Sequence, residues 1–140
     1  MNCPASVFNM KKIKIKTTRR VELVNVTAEV ADAVSESGIA EGAVVVYVPH
    51  TTAGVTINEA ADPDVAKDIE RTLSQLVPED GSYAHSEGNS DAHVKSALVG
   101  SSVHIPITGG RLALGTWQGI FFSEFDGPRS REIFITILGK

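Results

Sequence analysis

Apolar and polar residues alternate in the first part of the chain, which is the pattern of a β-strand with one face on a core. Ile13 and Ile15 alternate with lysines between Met10 and Thr18, and the same period of two continues over residues 21–25. We interpret these segments as two strands of one antiparallel pair. The lysines then form the solvated face of the first strand rather than a surface for nucleic acid.

The other strands are predicted from β-branched and apolar runs that are bounded by turn residues. Residues 42–48 form a continuous run typical of a buried central strand, which ends at Pro49-His50, and residues 52–59 follow as the next strand. Gly109-Gly110 predicts a two-residue hairpin between two further strands. The last third is completed by an apolar, aromatic segment at 115–125, a turn at 126–128 and a β-branched run at 132–138.

Three helices are predicted from apolar residues at helical spacing and from residues typical of helix ends. The first begins with Thr27 as its N-cap and ends at Gly38. The second begins at Asp62-Pro63 and presents one apolar stripe, with charged residues on its other face. The third is short and extends from an N-cap at Asn89 or Ser90 to Gly100.

The predicted elements follow one another in the order ββαββααβββ, with mostly short connections. This order predicts an α+β domain in which helices lie on one side of a mostly antiparallel sheet. We expect a single domain over residues 10–140 and a disordered N-terminal extension over residues 1–9, where no periodicity is present.

Composition narrows the class of protein. The chain has 140 residues, of which 42% are hydrophobic and 21% charged, and its formal net charge of -4 argues against a general nucleic-acid-binding surface. The single cysteine excludes an internal disulfide and favours a reducing, cytoplasmic setting. No apolar run approaches the roughly 18 residues of a membrane span. We therefore expect neither nucleic acid nor a membrane as a partner.

The segment from Tyr83 to Gly100 is the most polar part of the chain. It contains His85 and His93 together with carboxylate, amide and lysine side chains, and it is too polar to build a core, so chemistry is expected here first. His50 follows a buried strand, and histidine is both the commonest metal ligand and the usual acid/base group near neutral pH. No close-spaced histidine pair is present, so a metal site would be assembled from distant segments. The alternative is that each histidine is a solvated surface group.

A second polar cluster surrounds the Gly-Pro turn between residues 124 and 131. Its two carboxylates are Glu124 and Asp126, and its two guanidinium groups are Arg129 and Arg131. Arginine matches phosphate or carboxylate, so the cluster could bind a substrate, but the four groups could equally pair with one another across a hairpin. No P-loop, G-x-G-x-x-G or G-x-S-x-G motif is present, which removes the commonest nucleotide and hydrolase signatures.

Three blocks of sequence together resemble the YjbQ family, long described as an uncharacterised protein family. The blocks are P-H-T-T-A-G-V-T-I-N-E (49–59), H-S-E-G-N-S-D-A-H-V-K (85–95) and G-T-W-Q-G-I-F-F-S-E-F-D-G-P-R (115–129). The resemblance implies a compact α+β domain that forms a homotrimer with its sheets around the threefold axis. It also implies a polar pocket near the three histidines that is able to hold a metal ion. Family members are commonly described as secondary thiamine-phosphate synthases.

The positions that match the family carry expected roles. A divalent metal is expected at His50, His85 and His93, and imidazole ligands favour zinc or nickel over magnesium. The expected catalytic residues are Asp91, Glu124 and Asn89. The expected substrate contacts are Thr51, Thr52, Glu59, Lys95, Gln118, Asp126 and Arg129. One position departs from the family pattern: many members have Cys where this chain has Ser123, which argues against an obligatory thiol mechanism.

Two functions are compatible with these residues. The first is a metal-dependent hydrolase or transferase that acts on a small phosphorylated or carboxylated metabolite, with thiamine-phosphate synthesis as a weak side activity. In it, Asp91 or Glu124 acts as a general base or orients a histidine, and Arg129 holds the anionic group. The second is a trimeric protein that binds a metal or a metabolite without turnover. Both functions need similar polar groups, and a purely structural trimer is a third interpretation, so all three remain open at this point.

Overall fold

A computed structural model of the chain describes residues 10–140. The predicted extension over residues 1–9 lies outside the described residues. The strands are β1 (Met10–Lys16), β2 (Glu22–Asn25), β3 (Gly42–Tyr47), β4 (Ala53–Glu59), β5 (Ser102–Thr108), β6 (Arg111–Leu112), β7 (Gln118–Glu124) and β8 (Ser130–Gly139). The helices are α1 (Thr27–Ser37), α2 (Pro63–Leu76) and α3 (Ser90–Val99). The predicted α+β class is confirmed, and the last third contains four strands where the predicted order has three.

The strands form two antiparallel sheets that pack against each other. The five-stranded sheet has the order β1-β8-β3-β5-β6, and the three-stranded sheet has the order β2-β7-β4. Every second residue of each sheet faces the other sheet, as the period of two requires. The core between the sheets includes Val44, Val46, Ile105, Ile133 and Ile135 from the larger sheet and Val55, Ile120 and Phe122 from the smaller.

The prediction that β1 and β2 pair with each other is wrong. β1 pairs with β8, with Ile13 opposite Ile133, whereas β2 pairs with β7, with Val24 opposite Phe122. An alternating pattern specifies which face of a strand is buried, but it does not specify the partner strand. The connection between β1 and β2 therefore crosses from one sheet to the other.

Two of four predicted helix ends follow local chemistry. Gly38 adopts a left-handed φ of 71° after α1, and the side chain of Asp62 accepts a hydrogen bond from the backbone N–H of Asp64 at 2.9 Å. Thr27 is the first residue of α1 rather than its N-cap, because its hydroxyl instead accepts the N–H of Ile120 at 2.9 Å. Asn89 precedes α3 without capping it, since its side chain turns to Asp126.

The end of α3 is held against the segment that joins β3 to β4. The N–H of Val48 donates to the carbonyl of Ser101 at 2.8 Å, and the N–H of Val55 donates to the carbonyl of Gly100 at 3.1 Å. Gly54 allows this approach, since a Cβ at that position would lie 2.5 Å from the Gly100 carbonyl oxygen. Two segments far apart in sequence thus meet at one place. Over residues 10–140, no helix has both the length and the apolar character needed to cross a bilayer.

Candidate functional site

A cleft of about 400 Å³ lies where α3 meets the β3–β4 connection. We call it the histidine cleft. Its lining residues are His50, Thr51, Ala53, His93, Ser96, Ala97, Gly100 and Ser101. This lining combines imidazole and hydroxyl groups with small apolar surfaces and contains no carboxylate. Such a cleft suits a small ligand that carries hydrogen-bond acceptors.

His50 reaches the cleft from the end of β3 and is held by the neighbouring strand. Its Nε2 accepts a hydrogen bond from the backbone N–H of Glu132 on β8 at 3.0 Å. Burial lowers the pKa of His50, and the positive charge of Arg131 lowers it further. His50 therefore stands in the cleft as a neutral ring at neutral pH.

His93 reaches the cleft from α3. The lining residues His93, Ser96, Ala97 and Gly100 are spaced by three and four, so they share one face of the helix. The ring of His85 meets that of His93 edge-on, with the two ring centroids 5.4 Å apart, and its Nε2 lies 3.6 Å from a carboxylate oxygen of Glu87. The structure thus brings the three histidines to one region, with His85 outside the cleft lining.

The three histidines do not fit a metal ion as one chain presents them. Among residues 10–140, no three His, Cys, Asp or Glu side chains are arranged to hold a metal. The Nε2 lone pair of His50 is already occupied by the Glu132 N–H. The expectation of a zinc or nickel ion therefore depends on the family resemblance, because the contacts within one chain do not support it.

The carboxylate of Glu124 is fully buried and fully hydrogen-bonded. Arg131 makes a two-point contact with it, with its Nε 2.9 Å from Oε1, and the hydroxyl of Thr17 donates to Oε1 at 2.8 Å. The other oxygen, Oε2, accepts the N–H groups of Phe125 and Asp126. Burial alone would raise the pKa of Glu124, but the hydrogen bonds from Arg131 and Thr17 outweigh it and hold the pKa below its ordinary value.

A second buried cluster surrounds Arg20. Its guanidinium lies 3.0 Å from the carboxylate of Asp91 and 3.3 Å from that of Asp126. Asp91 also binds the ammonium of Lys95 at 2.9 Å, and both of these side chains are buried. We call this cluster, together with Glu124 and Arg131, the buried ion-pair frame.

Asp126 links the frame to the turn after β7. Its Oδ2 accepts hydrogen bonds from Asn89 and Arg129, each at 3.0 Å. Burial would raise the pKa of Asp126, but these two partners and the charge of Arg20 hold it below its ordinary value. The carboxylates of the 124–131 cluster therefore pair with the arginines of the same cluster, as one of the two sequence interpretations expected.

Of the three residues expected to be catalytic, Asp91 and Glu124 lie in the frame and Asn89 adjoins it, and none of them lines the cleft. Asp91 and Glu124 have both oxygens engaged in hydrogen bonds, and the amide nitrogen of Asn89 is bonded to Asp126. The amide oxygen of Asn89 is buried and has no hydrogen-bond partner among residues 10–140. Their catalytic roles stay predictions, and the contacts observed are those of groups that position the chain.

The residues expected to bind substrate are divided among three places. Thr51 lines the cleft, whereas Thr52 is buried and accepts a hydrogen bond from Arg131 at 2.8 Å. Glu59 and Gln118 are paired across β4 and β7 at the far end of the smaller sheet, about 20 Å from the cleft at roughly 3.3 Å per residue. Lys95, Asp126 and Arg129 belong to or adjoin the frame. One chain does not bring all of these residues to one ligand.

Sequence reasoning missed two residues of the cleft and one residue of the frame. Ser96 and Ser101 line the cleft, and Ser96 was recognisable because it lies three residues after His93 on a predicted helix. Arg20 precedes the second predicted strand, and nothing in its neighbourhood points to Asp91, which is 71 residues away. Ser123, where the family resemblance implies Cys in many members, is fully buried without a partner for its hydroxyl among the described residues, and it does not line the cleft.

Fold and cleft together define a small α+β protein with a histidine-lined cleft beside two packed antiparallel sheets. Comparison with known proteins identifies the family of this protein. The chain belongs to the YjbQ family, since residues 11–140 match the family described as UPF0047 protein YjbQ-like. The chain is similar to a UPF0047 protein of Methanocaldococcus jannaschii, with 57% identity over 128 residues that cover 91% of this chain and 93% of the relative. It is similar to the UPF0047 protein YugU of Bacillus subtilis, with 52% identity over 131 residues that cover 93% of this chain and 99% of the relative.

Solved structures share the same fold. A protein of the family from Clostridium acetobutylicum, described as uncharacterized, has a TM-score of 0.90 and 52% identity and covers 91% of this chain and 98% of its own. A protein from Sulfolobus solfataricus, described as of unknown function, has a TM-score of 0.92 and 33% identity and covers 96% of this chain and 99% of its own. The relatives thus establish the family and the fold, and their descriptions assign no activity.

Proposed function

We propose that this protein is an enzyme that binds a small phosphorylated or carboxylated metabolite in the histidine cleft and transfers a proton to or from it. The observation that carries the proposal is the lining itself, in which imidazole and hydroxyl groups converge on about 400 Å³ without any carboxylate. A carboxylate in the lining would repel an anion, whereas the imidazole groups and the hydroxyls of Thr51 and Ser101 offer it hydrogen bonds.

His93 is the proposed proton-transfer group. It is half-buried on a helix that the Arg20–Asp91 contact ties to the rest of the fold, and its ring packs edge-on against that of His85. Imidazole changes its charge near neutral pH, which is what a general acid or base requires. The hydroxyl of Thr51, on the opposite wall, would hold the anionic group of the ligand.

Ligand binding is tested by titration of the purified protein with inorganic phosphate and pyrophosphate, followed by calorimetry. Thr51→Ala should weaken binding about tenfold if one hydrogen bond to a charged group is lost. Thr72→Ala, an exposed threonine on α2, is the matched control and should bind as the wild type does. Equal affinity in the two variants would contradict the placement of the ligand.

Turnover is tested with a panel of phosphate esters and with the pyrimidine pyrophosphate and thiazole phosphate that the family resemblance implies. Both of these thiamine precursors carry phosphate groups, which suits the lining. His93→Ala should abolish turnover while binding is retained, and His104→Ala, an exposed histidine on β5, should leave turnover unchanged. Binding without turnover of any tested compound would favour the second function, a non-catalytic metabolite-binding protein.

The implied metal is a separate part of the proposal. Elemental analysis of the dialysed protein measures it directly. Stoichiometric zinc or nickel would mean that His50 leaves the Glu132 N–H or that a second chain supplies a ligand, because one chain as described does not assemble a set of metal ligands.

The cytoplasmic setting also stays a proposal, supported by the single cysteine.

Assembly into a homotrimer is supported by the outer face of the five-stranded sheet. Tyr47 is 45% exposed and Leu138 is 38% exposed on this face, and the rings of Tyr47 and Phe134 lie 6.2 Å apart. Exposed aromatic and aliphatic groups on one sheet face are typical of a covered interface. Tyr47→Asp should convert a trimer to monomers in analytical ultracentrifugation. Leu76→Asp, at an exposed leucine on α2, should leave the mass unchanged, and a monomeric wild type would contradict the proposal.

A further inference from the structure

His50 lies where β3 stops and β8 continues. The pairing of β3 with β8 ends with Tyr47 opposite Phe134, whereas β8 extends back to Ser130 along β1. Beyond Phe134, the next residue of β8 whose N–H faces the β3 side is Glu132. A longer β3 would accept this N–H, but Pro49 interrupts the strand. The side chain of His50 takes the place of the missing strand, because its Nε2 accepts that N–H at 3.0 Å.

This contact determines which nitrogen of the ring carries the proton. A backbone N–H can donate only to a nitrogen with a free lone pair, so Nε2 is unprotonated. A neutral imidazole has one N–H, which must then be on Nδ1. The ring cannot be turned over without placing a carbon against the Glu132 N–H, and a buried N–H without an acceptor is costly.

The second nitrogen is available to a ligand. Among residues 10–140, Nδ1 of His50 makes no hydrogen bond, and it is not one of the buried polar atoms that lack a partner. His50 is half-buried and lines the cleft. By contrast, the hydroxyl of Ser96 already donates to the carbonyl of Ala92 at 2.8 Å, so Ser96 can only accept from a ligand. The two walls of the cleft therefore differ in hydrogen-bonding character.

We propose that His50 is a fixed Nδ1–H donor that recognises an oxygen of the anionic ligand, and that it acts neither as a metal ligand nor as a base. The backbone N–H of Glu132 selects this tautomer before any ligand binds. The ligand oxygen that faces His50 must then be an acceptor, whereas a ligand hydroxyl is favoured against Ser96. The proposal deepens the proposed function, since it names the group that receives the anion, but the tautomer itself can be measured without a ligand.

Nitrogen-15 NMR of the chelator-treated full chain tests the tautomer. The ring signals of His50 are assigned by their disappearance in His50→Gln. The expected pattern near neutral pH is a protonated Nδ1 and an unprotonated Nε2, and the opposite pattern, or a rapidly exchanging mixture of both, would overturn the proposal. This result does not depend on whether phosphate binds, so a failure of the proposed function alone leaves it intact.

Two variants separate the donor from the structural contact. Glutamine at position 50 places an amide near Nε2, where its oxygen can still accept from Glu132, but it removes the donor at Nδ1. Asparagine places its amide near Nδ1 and keeps a donor there. With inorganic phosphate as the probe, His50→Gln should lose about tenfold or more in affinity, the effect of one hydrogen bond to a charged group, and His50→Asn should lose less. The reverse order would overturn the proposal.

Zinc chloride serves as the probe for the competing role. If His50 is not a ligand, wild type and His50→Gln should bind zinc with the same affinity by competition with a chelating dye. A drop of tenfold or more in His50→Gln would mean that the imidazole is a metal ligand and that the Glu132 contact gives way, which contradicts the inference.

Discussion

The histidine cleft and the buried ion-pair frame use similar side chains for opposite purposes. In the frame, Glu124, Arg131, Asp91 and Lys95 are almost fully buried, and each is paired at hydrogen-bonding distance. In the cleft, His93 and Thr51 are partly exposed, and no partner within the described chain satisfies them. Polar groups that are already paired hold a structure, and polar groups that are left open bind ligands. The comparison predicts large stability effects from the frame and large binding effects from the cleft.

The largest expected effect is on stability and comes from the Glu124–Arg131 pair. Arg131→Met leaves the buried Glu124 carboxylate without its main partner, and breaking such a pair costs about 3–5 kcal/mol. Urea denaturation should therefore show a much lower free energy of unfolding. Replacement of both residues together, as Glu124→Leu with Arg131→Met, should recover most of the loss, because no buried charge is left unpaired. If Arg131→Met is as stable as the wild type, the Glu124–Arg131 pair does not stabilise the fold.

The next effect concerns pH. The folded-state pKa values of Glu124 and Asp126 lie below their ordinary values of 4.5 and 3.8, so both groups stabilise the fold while they are ionised. That stability is present above the ordinary values and is lost as the pH falls through the lower folded-state values. The urea midpoint should fall steeply below about pH 4.5, after a smaller decline between about pH 7 and pH 5 that comes from His50, whose lowered folded-state pKa lets the unfolded chain take up a proton first. Glu124→Gln should flatten the fall, and an unchanged slope in that variant would contradict the assignment.

A smaller effect of opposite sign is expected at Ser123. Its hydroxyl is fully buried without a partner among residues 10–140, and an unsatisfied buried hydroxyl costs about 1–3 kcal/mol. Ser123→Cys and Ser123→Ala should both raise the melting temperature, since a thiol behaves as a small apolar group and a methyl group needs no partner. Ser102→Ala, at an exposed position on β5, is the control and should change little. A loss of stability in both Ser123 variants would show that the hydroxyl is satisfied.

The smallest stability effect is expected for Thr51 in the cleft, and His50 in the same cleft provides the contrast. Thr51→Ala and His50→Asn remove groups that face a ligand, but only the second also disturbs the Glu132 N–H. Thermal unfolding of Thr51→Ala should lie within about 0.5 kcal/mol of the wild type, as for other surface substitutions. His50→Asn should cost about 1–3 kcal/mol more, because a strand N–H loses its acceptor. Equal stability in the two variants would contradict a stabilising role for the contact between His50 and the Glu132 N–H.

Much of the fold was predictable because its determinants are local. The Asp62 cap, the left-handed Gly38 and the Gly109-Gly110 hairpin each depend on residues within about four positions. The faces of the strands follow in the same way from a period of two. The site was predictable in part, since the histidines were identified by residue type and by their places at element ends.

What the sequence by itself determined is therefore the list of elements, their buried faces and the family to which the chain belongs. Only the tertiary structure decided which groups meet: β1 with β8, Thr17 with Glu124 across 107 positions, and His50 with Glu132 across 82. Such contacts depend on the packing of both sheets at once, because each partner is chosen by the total free energy of the fold and not by its neighbours in the chain. For this reason the same residue types became a buried frame in one place and an open cleft in another.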